Sequence, residues 1–387
     1  MVGNVLTTIA VPWFVLQTTG SATQTGITGF FTILPVVLAG LLGGALIDRL
    51  GYKRTSILAD LASGFTVMLI PIFYTTIGLS FWLLMVLVFL GALLDSPGST
   101  ARAAMIPELA ELAGMPIERA ASANQIVERS SRLIGAPLAG ILIALLGTAN
   151  VLWFDAASFF VSAGLVAWLV AMPPIKARPA KREKYVQEIF DGFRFIRKDA
   201  VIMAIVIVVM ITNFLDAGFG GVVLPVYVNE NFAAALYLGL LIAANAGGSV
   251  VGALIFGAIG HRLPRHATFA WMFVITSLRY FVFALVPPFT ILWIVNFVLS
   301  IATGPLNPII DAISYERVPN NMRGRIFGAI QAGAWIAMPL GVLLAGVLTE
   351  ALGVTPLLIA IGIIMLSTTL SMVFIPAMKG MDKYKRK

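Results

Sequence analysis

The sequence predicts an all-α polytopic membrane protein, with twelve transmembrane helices in two pseudo-symmetric six-helix bundles. Three observations carry that prediction: the composition, the rhythm of the apolar runs and an internal repeat. Of 387 residues, 59% are hydrophobic and 11% charged, with a mean hydropathy of +0.96. Soluble domains carry about 25% charged residues, so this chain lacks the polar material to cover itself in water. Apolar runs of about 20 residues recur along it, each long enough to cross about 30 Å of hydrocarbon. That is not the period-two alternation of a transmembrane barrel.

In chain order the helices fall near 1–17, 25–47, 55–77, 81–101, 124–146 and 150–172, then near 199–228, 234–260, 267–286, 289–313, 324–348 and 354–376. The chain divides accordingly into an N-terminal bundle (1–172), a cytoplasmic linker (173–198), a C-terminal bundle (199–378) and a basic tail (379–387). Span one has about 17 residues before "TTGS", short of the roughly 20 expected, so the start of that helix is expected to lie further upstream. The opening "MVGNVLTTIA" has no basic region and no small-residue cleavage site, so it reads as part of a mature helix. Within the linker, "PPIKARPAKREKY" reads as solvated. "VQEIFDGFRFIRKD" has apolar residues at helical spacing and is expected to lie along the inner membrane surface.

Charge sets the topology. With both ends and every second connection on one side, that side receives every Lys and Arg except Arg279, which falls within a span. The opposite connections, such as "TTGSATQT" and "TTIGLS", contain no base. By the positive-inside rule the basic side, with both termini, is cytoplasmic. The net charge of +8 is thus explained by topology and does not point to nucleic acid. The absence of cysteine excludes disulfides, thiolate metal sites and cysteine nucleophiles. His261 and His266, five apart on a basic loop, read as solvated and not as metal ligands.

The repeat rests on three landmarks in the same order. Asp48-Arg49-Leu50 has a counterpart at His261-Arg262-Leu263, Pro97 at Pro305, and Pro137-Leu138 at Pro339-Leu340, at offsets of 213, 208 and 202. Together they suggest a duplicated six-helix unit.

Between spans two and three stands "GALIDRLGYKR". Gly51 permits a positive φ in this short turn, and Gly43 and Gly44 permit close helix approach. Gly44, Leu46, Asp48, Arg49, Gly51, Lys53 and Arg54 match the signature G-x-L-x-D-R-x-G-x-[KR]-[KR] of the major facilitator superfamily, which the chain resembles along its whole length. "LDSPGSTARAAMIPELA", "NVLWFDAASFF", "DGFRFIRKD" and "MRGRIFGAI" resemble the branch of macrolide-efflux proteins and enterobactin exporters. The resemblance implies that Gly44, Asp48, Arg49, Gly51, Lys53 and Arg54 form a gate. Asp48 would bind the start of helix eleven near Asn320 to Arg325, and Asp95 would receive the motif's bases. The second copy departs from the signature, with Pro264 for the glycine and His261 for the aspartate, so the gate is expected to be one-sided.

Charges inside spans cost about 2.5–3.5 kcal/mol at the helix centre and mark functional positions. The resemblance puts helices one, four, seven and ten around a central cavity. Asp95 and Asp216, with Asn213 one turn before Asp216, are therefore the candidate proton or substrate site. An ion pair with Arg279 is the alternative role for Asp216. Asp155 and Arg279, on outer helices, are read as structural. Gly135, Pro137 and Gly140 in "GAPLAG" resemble a helix-bending exporter motif, with Ala136 where a glycine is usual. A bend imposed by packing alone is an equal alternative.

No cofactor, metal site, nucleotide-binding loop or catalytic set is found, so an enzyme is not expected. The leading reading is export of a hydrophobic or amphipathic small molecule in exchange for protons, by a monomer. Import or uniport of a polar solute, and a non-transporting scaffold or sensor, are the alternatives.

Overall fold

The computed structural model describes residues 1–42, 50–170, 191–319 and 322–382, and among them every regular element is helical. The first six helices are α1 (Val2–Thr19), α2 (Ala22–Leu42), α3 (Tyr52–Thr76), α4 (Phe81–Leu112), α5 (Ile117–Leu146) and α6 (Thr148–Leu169). The second six are α7 (Ala200–Asn231), α8 (Ala235–Ile259), α9 (Arg265–Ala284), α10 (Phe289–Arg317), α11 (Arg323–Trp335 and Met338–Leu352) and α12 (Val354–Phe374). Eleven helices among the described residues are long and apolar enough to cross a membrane, and α1, with 18 residues, is the remaining helix and falls outside that set. Trp168, Leu285 and Phe374 are 84%, 79% and 80% exposed, which lipid tolerates and water penalises.

Helix ends follow local chemistry. α1 closes on Gly20, whose φ of +68° is the left-handed cap that glycine adopts without strain. Gly51, with φ +78°, opens α3, as the turn between spans two and three requires. The Asp199 carboxylate caps α7 by accepting from the amides of Val201 and Ile202. α4 and α5 outrun the spans expected at 81–101 and 124–146. α4 runs on through Pro97, and around it the hydroxyls of Ser96 and Thr100 donate to the carbonyls of Ala92 and Ser96.

The chain forms two compact units: Met1–Arg182 with Ala234–Gly239, and Glu183–Ala233 with Leu240–Lys387. Each shows the same internal plan. In the first, α1 lies against α5 and α6, and α3 against α4 and α6. In the second, α7 lies against α11 and α12, and α9 against α10 and α12. The offset landmarks in the sequence have this physical basis.

Three features position the site in the second unit. α8 and α10 cross so closely that a Cβ on Gly252 would collide with the Ile301 carbonyl oxygen, and one on Gly304 with the backbone of α8. Amides bind this crossing, with Asn245 donating to Ser300 Oγ at 2.8 Å and Asn296 to the Leu241 carbonyl at 2.9 Å. α7 widens into a π-turn over Phe219–Val223, and α11 breaks between Trp335 and Met338, beside Pro339. Residues 191–198 are helical, and Ile196 packs with Ile202, Val206, Val318 and Ile326 in the core of the second unit.

Candidate functional site

The second unit builds a site from α7 and α9. Asn213 and Asp216 share a face of α7 one turn apart. Directly after them the π-turn sends the Phe219 amide back to the carbonyls of Leu215 and Asp216, and the Leu224 amide to Phe219. Arg279 Nη2 stands 2.6 Å from Asp216 Oδ1, and the Tyr280 hydroxyl donates to the same oxygen at 2.5 Å. Arg279 also donates to the Tyr280 oxygen at 3.2 Å, and its guanidinium lies 4.9 Å from the centroid of the Phe219 ring. A buried guanidinium is tolerable only when paired and hydrogen-bonded, and these contacts supply both. The Arg279 side chain is 11% exposed but that of Asp216 is 42% exposed. The carboxylate therefore opens onto a cavity of about 380 Å³ within the second unit. Amides of Asn213, Asn245 and Asn307 line it, together with the rings of Phe219, Phe273 and Phe283. Such a wall presents hydrogen-bonding groups and apolar surface to the same guest. Asn213 also donates to the Ala334 carbonyl at 3.0 Å, just before the break in α11.

Asp95 belongs to a different cluster, in the first unit. Arg102, two turns further along α4, places Nη1 2.5 Å from Asp60 Oδ1 and Nη2 3.4 Å from Asp95 Oδ1. Ser162 donates to Asp60 Oδ2 at 2.6 Å, and Asn4 donates to Asp95 Oδ2 at 2.7 Å. Asp60 is wholly buried, which its arginine and hydroxyl partners make tolerable. Asp155 lies between α1 and α6 at 1% exposure, and accepts from the hydroxyls of Thr7 and, at 3.3 Å, Ser158.

Of the expected gate, Gly44, Asp48 and Arg49 lie outside the described residues, as do Asn320 and Asn321 in the region expected to receive Asp48. Gly51 starts α3, Lys53 donates to the Ala167 carbonyl at the end of α6 at 2.9 Å, and Arg54 is exposed. The base that pairs with Asp95 among the described residues is Arg102. Pro137 sits inside the unbroken α5, where Gly135 lets Val5 of α1 approach closely and Gly140 is buried. His261 is exposed and His266 Nε2 lies 3.0 Å from the Met372 carbonyl oxygen. Among the described residues no three His, Asp or Glu side chains gather to hold a metal ion.

Sequence reasoning passed over Asp60, Arg102 and Tyr280. A signal existed for Asp60, a carboxylate within the span expected at 55–77. It lies near the end of that span, where charge is cheap, and only the fold shows it buried. Nothing local distinguishes Tyr280 from the chain's other tyrosines.

A polytopic helical transporter of the major facilitator fold is the class that these bundles define. Solved structures agree. The chain aligns with a point variant of the nucleoside transporter NupG at TM-score 0.77 and 16% identity, covering 98% of this chain and 97% of that one. It aligns with a D-xylose-proton symporter at TM-score 0.74 and 16% identity, covering 98% and 96%. More particularly, residues 1–386 match the model of the family described as transmembrane secretion effector, and the chain belongs to that family within the major facilitator superfamily. It is similar to the multidrug efflux pump Tap of Mycobacterium tuberculosis, 30% identical over 387 residues covering 98% of this chain and 91% of the relative. Tap of Mycolicibacterium fortuitum is 30% identical over 384 residues, covering 98% and 94%. Macrolide efflux protein A of Streptococcus pyogenes is 20% identical over 359 residues, covering 92% and 87%. The chain is thus an integral, multi-pass membrane transporter of a small-molecule substrate.

Proposed function

We propose that this chain exports hydrophobic or amphipathic small molecules, drugs and macrolides among them, across the cytoplasmic membrane by alternating access and in exchange for protons. The observation that carries the reading is the full-length similarity to pumps named for multidrug efflux. The cavity fits it, because amides, aromatic rings and the Asp216 carboxylate suit a substrate that is greasy and polar at once. In this reading Asp216 and Asn213 handle substrate or proton, Arg279 holds Asp216 in place, and Asp95 responds to movement of α1 through Asn4. Gly44, Asp48, Arg49, Gly51, Lys53 and Arg54 act as the gate between the bundles 1–172 and 199–378. Both termini, the linker 173–198 and the tail 379–387 face the cytoplasm, on the distribution of Lys and Arg. The protein works as a monomer in lipid, without cofactor and without catalysing a covalent step.

The test is drug accumulation in an efflux-deficient bacterial host expressing the chain, before and after the proton gradient is collapsed. Lower accumulation that returns to the host level on collapse, and in Asp216→Asn, supports the reading. Unchanged accumulation of a broad drug panel, with verified folded protein in the membrane, overturns it.

A further inference from the structure

Asp60, Asp95, Asp199 and Asp216 each face an arginine: Arg102 for the first two, Arg317 for Asp199 and Arg279 for Asp216. Among the described residues Asp155 has no such partner. At 1% exposure it is held by two hydroxyls, Thr7 Oγ1 at Oδ2 and Ser158 Oγ at Oδ1. The backbone of α1 presses on it, since a Cβ on Gly3 would collide with Asp155 Oδ1.

Among the described residues, the side chains of the surrounding elements supply no cation to replace the missing one. Neither α1 nor α6 contains Lys, Arg or His. From α3, Lys53 is engaged at the Ala167 carbonyl, Arg54 is exposed, and Asp60 is tied to Arg102 and Ser162. From α5, Glu128 pairs with Arg132, while Arg119 and Arg129 are exposed. The remaining charges acting on Asp155 are the Asp95 carboxylate, of like sign, and the α-amino group of Met1, on a half-exposed residue. An ionised carboxylate in such a place is strongly disfavoured. A protonated one fits without moving a heavy atom. The proton on Oδ2 donates to Thr7 Oγ1 once the Thr7 hydroxyl hydrogen has rotated away, as hydroxyl hydrogens do to suit their partners.

We propose that Asp155 is a proton-binding site of the first bundle, neutral while α1 lies against α6 and ionised when α1 withdraws and admits water. The proton comes from water and returns to it. Asn4 and Thr7 lie one turn apart on α1 and hold Asp95 and Asp155 respectively, so a shift of α1 releases both carboxylates together. The site goes beyond the export reading and needs no drug to be observed.

The experiment is infrared difference spectroscopy of the full chain in proteoliposomes, swept in pH without substrate. The expected result is a protonated-carboxyl C=O band that titrates, is lost in Asp155→Asn and survives in Asp216→Asn. Asp155→Glu should restore a band, and Thr7→Val should shift its frequency and its midpoint. Asp155→Asn copies the neutral form, so it should keep its thermal stability. A spectrum of folded Asp155→Asn identical to that of the parent overturns the proposal, as does a parent with no titrating carboxyl band. Either result leaves the export assay free to succeed.

Discussion

Phe14 and Tyr74 meet edge to face at 5.1 Å in the first unit, and Phe219 and Tyr280 meet edge to face at 5.1 Å in the second. The partners are separated by 205 and 206 residues along the chain, so the same contact occurs at corresponding places in both copies. What surrounds it differs. At the same offsets Asp216 corresponds to Val11 and Arg279 to Phe73. Val11 is 2% exposed in an apolar setting, whereas Asp216 opens onto a cavity. The first copy places its carboxylates elsewhere, on α3, α4 and α6, with two of them held from α1. The two copies thus share this apolar packing and place their charges differently.

The comparison can be broken by moving a charge. Val11→Asp copies the second unit's carboxylate into the first, with no arginine to meet it. The expected cost is at least the 2.5–3.5 kcal/mol of a central aspartate, read as loss of monodisperse protein on size exclusion. If Val11→Asp folds normally, the two environments are equivalent and the comparison fails.

Next in size, Asp216→Ala strands the Arg279 guanidinium and should lower stability by about 3 kcal/mol, the lower end of the range for breaking a buried pair, because Asp216 is half exposed. Thermal unfolding would show it, and the double variant with Arg279→Met should recover most of the loss. Asp60→Asn and Asp95→Asn sharpen the account of the first unit. The wholly buried Asp60, with partners at 2.5 and 2.6 Å, should cost about 2 kcal/mol, and Asp95 about half of that. Asn213→Ala removes one hydrogen bond to α11 and should cost about 1 kcal/mol in the same assay.

The architecture was legible because lipid imposes length and apolarity on each span, and no soluble alternative satisfies such a composition. The prolines at 97, 137, 305 and 339 pointed to the duplication, and the Lys and Arg of the connections carry the expected orientation. Ends were less legible. α4 runs past the end expected at 101 as far as Leu112, through both Pro97 and Pro107. The site was half legible. Asn213 and Asp216 were visible as polar residues one turn apart in a span, and Arg279 as a base near the middle of one. Tyr280 and the cavity amides were not, because their role comes from α7, α8, α9 and α10 converging, which no local pattern encodes. Asp155 was visible as a charge. That no side-chain cation faces it among the described residues became visible only with the neighbouring helices in place.

The central claim is that the drug is received in the second unit's cavity beside Asp216. The most direct measurement is photocrosslinking of a photoreactive macrolide to the purified full chain in proteoliposomes, with the labelled peptides mapped by mass spectrometry. The account predicts labelling on α7, α8 and α10 around Asn213, Asn245 and Asn307, competed by unlabelled macrolide and reduced in Asp216→Asn. Competed labelling confined to α1–α6, and unchanged in Asp216→Asn, would contradict it.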